Sequence, residues 1–198
     1  MKRLTTGLLL AAALALPLSL ASAPSASAGV RIGISVNFGP PALLWYPQPV
    51  LPGEGYFWVP GYWGWGSYGY FWVPGAWMWP PMIGFLWTPG YWDWNGGYYW
   101  WYPGYWGRRV GFYGGINYGY GYSGRGYAGG YWRHGHLHYN RAVLNVNTDK
   151  SRFTYRKPVG RPHRGRRISY NGGKGGIALR PTVEQQVRAH ERHLGLTA

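Results

Sequence analysis

The chain contains no cysteine and only five acidic residues among its 198. The first absence excludes disulfides and any thiol-linked lipid anchor, so stability must come from packing or assembly. The second weighs against catalysis. Glycoside hydrolysis normally needs two carboxylates flanking the bond, and Glu54 and Asp93 are the only acids before Asp149. No nucleophile motif or phosphate-binding loop is present. The reading is therefore a non-enzyme with no cofactor. Long apolar runs are also scarce. The one run, Leu8 to Leu20, is broken by Pro17 and Ser19 and is shorter than the roughly 20 residues a spanning helix needs. No later stretch could cross a bilayer as a helix.

That run instead reads as the core of a signal peptide over residues 1–28. Lys2 and Arg3 precede it, and Ala26-Ser27-Ala28 is an A-x-A cleavage site that would leave Gly29 as the new N-terminus. The chain is thus expected to be exported, to the periplasm, the outer surface or the medium of a bacterial cell.

Glycine and aromatic residues dominate what remains: 34 Gly, 14 Trp and 19 Tyr, with 16 Pro. Charge is segregated. Residues 29–107 hold one cation (Arg31) against two acids, a net of −1, and residues 108–198 hold 17 cations against three acids, a net of +14. All the tryptophans fall between Trp45 and Trp132. The organisation expected is an extended segment over 29–53, a repeat sheet over 54–106, a Gly/Tyr-rich β segment over 107–147, a basic arm over 148–180 and a helix within 181–198.

The repeat is W-x-P-G-x-W. It starts at Trp58, Trp72, Trp87 and Trp101, at intervals of 14, 15 and 14 residues, and ends at Trp63, Trp77, Trp92 and Trp106. Such a period suits one strand plus one turn. Pro-Gly favours a type II turn, whose twist opposes that of a two-residue hairpin. Turns are therefore placed midway between copies, at Ser67/Tyr68, Met82 and Gly96/Gly97. Folding there gives an all-β, antiparallel meander. It pairs Trp58 with Trp77 and Trp63 with Trp72, then Trp77 with Trp87 and Trp72 with Trp92, then Trp87 with Trp106 and Trp92 with Trp101.

The two tryptophans of a copy are five apart, which puts them on opposite faces unless a bulge at Pro-Gly returns both to one. With such bulges Trp65, Trp79 and Trp94 extend that face. Core packing accounts for many of these rings, but so many in so small a sheet leave some exposed, and an exposed aromatic surface marks a contact site.

In the Gly/Tyr-rich stretch, Tyr118, Tyr120 and Tyr122 share a face if it is a strand; a flexible linker is the alternative. On a strand, His134, His136 and His138 also share one face. They are weak metal candidates, since the outer pair would stand ~13 Å apart. A solvated polar strand is the favoured reading.

From Lys150 to Arg167 the chain carries no acid, and Arg156, Lys157, Arg161, Arg164, Arg166 and Arg167 form a basic patch. With Pro158 and Pro162 and no periodicity, this reads as a disordered cationic arm, either a solvated tail or a site for an anionic polymer such as lipopolysaccharide, teichoic-type polymer, extracellular DNA or a phospholipid surface. Thr182 and Gln185 form a capping box for the terminal helix, with Val183, Val187 and Leu194 as its apolar stripe and Gly195 as its stop.

The four copies, with the segments Gly111–Tyr120, Tyr139–Asn147 and Ser169–Ile177, resemble the bacterial YXWGXW (WXXGXW) repeat family. The resemblance spans most of the mature chain. It implies an exported envelope protein and no catalytic residues. The partner expected is an envelope polymer or another protein, with self-association through unpaired strand edges as a further route.

Overall fold

Proline has no backbone N–H to give to a ladder, and the four Pro-Gly pairs organise the sheet accordingly. The structure is a computed structural model that describes residues 35–160 and 167–196. The expected signal peptide and Arg161, Arg164 and Arg166 of the basic patch lie outside the described residues.

After β1 (Ser35–Val36), the repeats supply eight strands: β2 (Phe57–Val59), β3 (Tyr62–Gly66), β4 (Gly69–Val73), β5 (Ala76–Met78), β6 (Leu86–Thr88), β7 (Tyr91–Asn95), β8 (Tyr98–Tyr102) and β9 (Tyr105–Gly107). They form two long hairpins. The first turns at Ser67-Tyr68 and pairs Trp58 with Trp77 and Trp63 with Trp72. The second turns at Gly96-Gly97 and pairs Trp87 with Trp106 and Trp92 with Trp101. These are the partners that folding about the midpoints predicts. Gly96 and Gly97 both have positive φ (62° and 90°), the geometry of a tight two-residue hairpin turn.

The middle hairpin of the predicted meander does not form. Trp77 does not pair with Trp87, nor Trp72 with Trp92. A turn does occur there, with Phe85 N donating to Met82 O at 3.2 Å. However, β5 pairs only with β2, and the edge of β7 that β4 would have used is taken by β15 (Tyr170–Asn171). The linking segment contains Pro80-Pro81, which cannot donate to a ladder.

The predicted bulges are also absent. Val59 opposes Ala76 and Tyr62 opposes Val73, so Pro60-Gly61 faces Pro74-Gly75 with no change of register. Both strands break together. The break separates each hairpin into a base and a tip, and in the third and fourth copies the two tryptophans go to different cores. Trp58, Trp87 and Trp106 are buried in a large core with Phe57, Tyr113, Tyr122, Leu137 and Tyr139, and Trp77 packs against it. Trp92 is buried in a smaller one with Val36 and Tyr99, with Trp65, Trp94 and Trp101 around it.

Close packing at the breaks explains the motif's glycine. The first Trp of each copy lies over the Gly of the copy it pairs with. A Cβ on Gly61 would stand 2.5 Å from Trp72 Cζ2, one on Gly75 2.6 Å from Trp58 Cζ2, and one on Gly90 2.6 Å from Trp101 Cζ2; Trp87 covers Gly104 likewise.

The Gly/Tyr-rich stretch is ordered, not a linker. It contributes β10 (Asn117–Gly119), β11 (Tyr122–Ser123), β12 (Gly130–Arg133) and β13 (His136–Asn140). Tyr120 does not share a face with Tyr118 and Tyr122, because it sits in the β10–β11 turn at φ 49°. The phenols act as anchors. Tyr118 donates to Gly90 O (2.6 Å) and Tyr122 to Trp87 O (2.7 Å), satisfying carbonyls beside the third Pro-Gly break, while Tyr120 donates to Tyr46 O. Residues 37–53 run as an irregular, Pro-rich strap whose carbonyls accept from motif indoles: Trp63 Nε1 donates to Ala42 O (3.1 Å) and Trp77 Nε1 to Pro49 O (2.9 Å).

The basic segment is not a disordered arm where it is described. It supplies β14 (Thr154–Tyr155), parallel to β13, and then β15, parallel to β7. Its apolar content is low, but two open strand edges receive its backbone and two buried asparagines clamp it. Asn140 holds both Lys157 O (2.9 Å) and Lys157 N (3.0 Å), and Asn171 donates to Gly114 O and Leu179 O.

The terminal helix α1 (Val183–Arg188) has the expected capping box between Thr182 and Gln185. The helix ends at Arg188, well before the expected stop at Gly195. Of the expected stripe, Val183 and Val187 are exposed, and Leu194, beyond the helix, is bridged to Trp106 by two backbone hydrogen bonds of 2.7 and 3.1 Å. Among the described residues no helix is long and apolar enough to cross a membrane.

Candidate functional site

Strand alternation assigns two faces to the four-stranded sheet β1-β8-β7-β15. On the inner face Trp92 meets Trp101 (ring centroids 5.4 Å apart) and Trp94 meets Tyr99 (4.7 Å). That face packs on the tip of the first hairpin, where Trp92 Nε1 donates to Trp63 O at 2.8 Å. The outer face carries the cross-strand pairs Tyr91–Tyr102, Asp93–Trp100 and Asn95–Tyr98. Tyr91 and Tyr102 stack at 5.0 Å and 10°, and Phe112 meets Tyr91 edge-on and covers that end.

The rest of the outer face is more open: Tyr98 is exposed and Trp100 half-buried, and the half-buried Tyr102 joins them to the covered end. These three alternate along β8, so their rings recur at ~7 Å and the row is ~14 Å long. The Trp100 indole is fixed by its hydrogen bond to Asn95 O (3.0 Å). A shallow depression between Asn95, Gly96, Trp100 and Tyr102 lies beside it. Asp93 stands opposite Trp100. Burial pushes its carboxyl above the ordinary value, and it forms no hydrogen bond or ion pair among the described residues. The surface thus offers flat apolar rings in a line with one acceptor-rich carboxyl beside them.

Most of the tryptophans singled out by the motif are not on this surface. Trp58, Trp87, Trp92 and Trp106 are buried and serve as core. Trp63, Trp65, Trp72, Trp77, Trp94 and Trp101 are half-buried against other rings. Only Trp79 is exposed, and it lies in the link between the hairpins. The expected single aromatic face does not form: without bulges most of the motif rings turn to two cores, and Trp63 and Trp72 pack on each other. The motif tryptophans do not point to Tyr98 and Trp100, which precede the fourth copy, or to Tyr102, which fills its variable second position. The available signal was the adjacent pair Trp100-Trp101, which a strand must send to opposite faces.

The three histidines do not share a strand face. His134 (φ 50°) and Gly135 (φ 79°) form the β12–β13 turn. His136 stacks on Phe153 at 4.1 Å and His138 on Tyr131 at 5.1 Å. Among the described residues no three His, Asp or Glu side chains gather as a metal site. Arg156, Lys157 and Arg167 of the basic patch are exposed, and Leu43 N donates to Arg167 O at 2.8 Å, which ties that end to the strap. Comparison of the chain with family models, curated proteins and solved structures returned no match.

Proposed function

We propose that this is an exported, non-catalytic protein of the bacterial envelope or surface that binds an extended polymer along the outer face of its four-stranded sheet. The observation that carries the reading is the row Tyr98, Trp100 and Tyr102, exposed at Tyr98 and half-buried at the other two, on a sheet held from its other side by the smaller core. Flat rings at strand spacing suit the apolar faces of successive units in a glycan chain. The exposed Arg156, Lys157 and Arg167 add attraction to anionic polymers that weakens with salt. The export signal of residues 1–28 and the resemblance to WXXGXW-repeat proteins support the address, and the scarcity of carboxylates supports binding without turnover.

The test is co-sedimentation of the mature chain, Gly29 to Ala198, with isolated cell-wall sacculi across a salt series. Retention at high salt that Trp100→Ala abolishes is the expected result. Retention at low salt only would transfer the function to the basic segment and an anionic polymer. No retention at any salt would overturn wall binding and leave a protein partner or self-assembly as the account.

A further inference from the structure

A second recess lies away from that sheet, where the link between the hairpins meets the β12–β13 hairpin. Its walls are Trp79, Glu54, His136 and Phe153, and its floor is Leu137 and Trp132. Trp79, Trp132 and Glu54 are held in place. Tyr56 meets the Trp79 ring edge-on at 5.1 Å, and Gly55 lies beneath the ring, where a Cβ would stand 2.8 Å from Trp79 Cη2. Trp132 is fixed by its indole hydrogen bond to Phe85 O (2.9 Å). Glu54 Oε1 accepts from Ser151 Oγ (3.1 Å) and Arg152 N (3.2 Å).

What these groups leave uncommitted defines the ligand. Trp79 is 64% exposed, and its indole N–H makes no hydrogen bond among the described residues. Neither does Glu54 Oε2, nor either ring nitrogen of His136. The recess therefore presents one donor, one carboxylate acceptor and one imidazole around an apolar floor and a bare aromatic face. A ligand that matches has hydroxyls on its rim and an apolar C–H face. A cation matches poorly, because the Arg152 guanidinium already sits 5.0 Å above the Phe153 ring and Arg133 is paired with His136 in the ladder.

We infer that this recess is a binding site for a single neutral pyranose unit, such as a chain end or a side branch. The Trp79 ring stacks on the sugar's C–H face. Glu54 Oε2 accepts from its hydroxyls, and the Trp79 N–H and His136 complete the contacts. The site stands on residues separate from the outer sheet face and does not depend on it.

The experiment is a heteronuclear NMR titration of the mature chain with methyl glucoside, methyl galactoside and N-acetylglucosamine, with choline chloride as the cationic comparison. At least one sugar is expected to shift the Trp79 indole N–H with millimolar affinity. Trp79→Ala should weaken that binding about tenfold and Trp79→Phe, which keeps a flat ring, should recover most of it. Glu54→Gln should weaken it about threefold to tenfold through loss of the charged acceptor. Absence of a shift with every sugar, an affinity that Trp79→Ala leaves unaltered, or a response to choline in place of sugar would overturn the assignment. The pelleting assay reads the sheet face and this titration reads the recess, so either can fail alone.

Discussion

The indole of Trp58 lies on the backbone of Gly75, so close that a Cβ there would stand 2.6 Å from Cζ2 and 2.9 Å from Val59 O. The same contact recurs in the other three copies, which makes the motif glycine a matter of close approach between paired strands. Gly75→Ala should therefore destabilise the fold by about 1–3 kcal/mol through overpacking. Gly53→Ala, where nothing lies within 4 Å of the new atom, should cost no more than about 0.5 kcal/mol. Urea unfolding of the two variants checks the difference, and equal costs would refute the account of the motif.

Tyr122 is fully buried and its hydroxyl donates to Trp87 O at 2.7 Å. Tyr122→Phe leaves that carbonyl unsatisfied in the core. The expected loss is about 1–3 kcal/mol in chemical denaturation. A neutral result would mean that the phenols of the Gly/Tyr-rich segment do not anchor the repeats.

Burial pushes the Tyr113 phenol up to about 12, against the lowering effect of backbone hydrogen bonds with Gly126 and Gly124. Its folded value lies above the ordinary 10.0, so the stability it contributes is complete below pH ~10 and is lost as the pH climbs towards ~12. That window should show a loss of about 2–3 kcal/mol from this group. Denaturant midpoints measured from pH 8 to 12 test it. Tyr113→Phe should start less stable and fall less steeply across the same window.

The half-buried Asp93 is penalised when ionised, since burial raises its carboxyl above the ordinary value. Asp93→Asn removes that penalty, and thermal stability at pH 7 should rise by at most about 1 kcal/mol after solvent screening. The gain should disappear below pH ~4, where the wild-type carboxyl is protonated in folded and unfolded chains alike. A gain that persists at pH 3 would place its cause elsewhere.

Asn140 is fully buried and its side chain is bound to Ala128 O, Lys157 O, Lys157 N and Ala142 N. Asn140→Ala should release the basic segment from the edge of β13 before the rest of the fold opens. Limited trypsin digestion should then cut at Lys150, Arg152 or Arg156 at least about tenfold faster than in the parent chain. Unchanged cleavage would mean that the segment is not held by this residue.

The sequence by itself determined the all-β class, both hairpin registers, the Ser67-Tyr68 and Gly96-Gly97 turns and the Thr182–Gln185 capping box. These are local features: motif spacing and turn chemistry act over a few residues and leave their signature in the chain. It also marked the tryptophans but not their direction. A spacing of five is odd, and whether the break at Pro-Gly adds a residue depends on the partner strand, where Pro74-Gly75 answers Pro60-Gly61 without a shift. Only the tertiary structure decided that β7 pairs with Tyr170–Asn171 instead of β4, because an open edge takes whatever backbone reaches it and the Pro80-Pro81 link offers too few donors. The same holds for the basic segment, whose order comes from Asn140, Asn171 and two distant strand edges and not from any apolar pattern of its own. It holds also for the row Tyr98, Trp100 and Tyr102, since which face of β8 meets solvent is settled by what packs on the other.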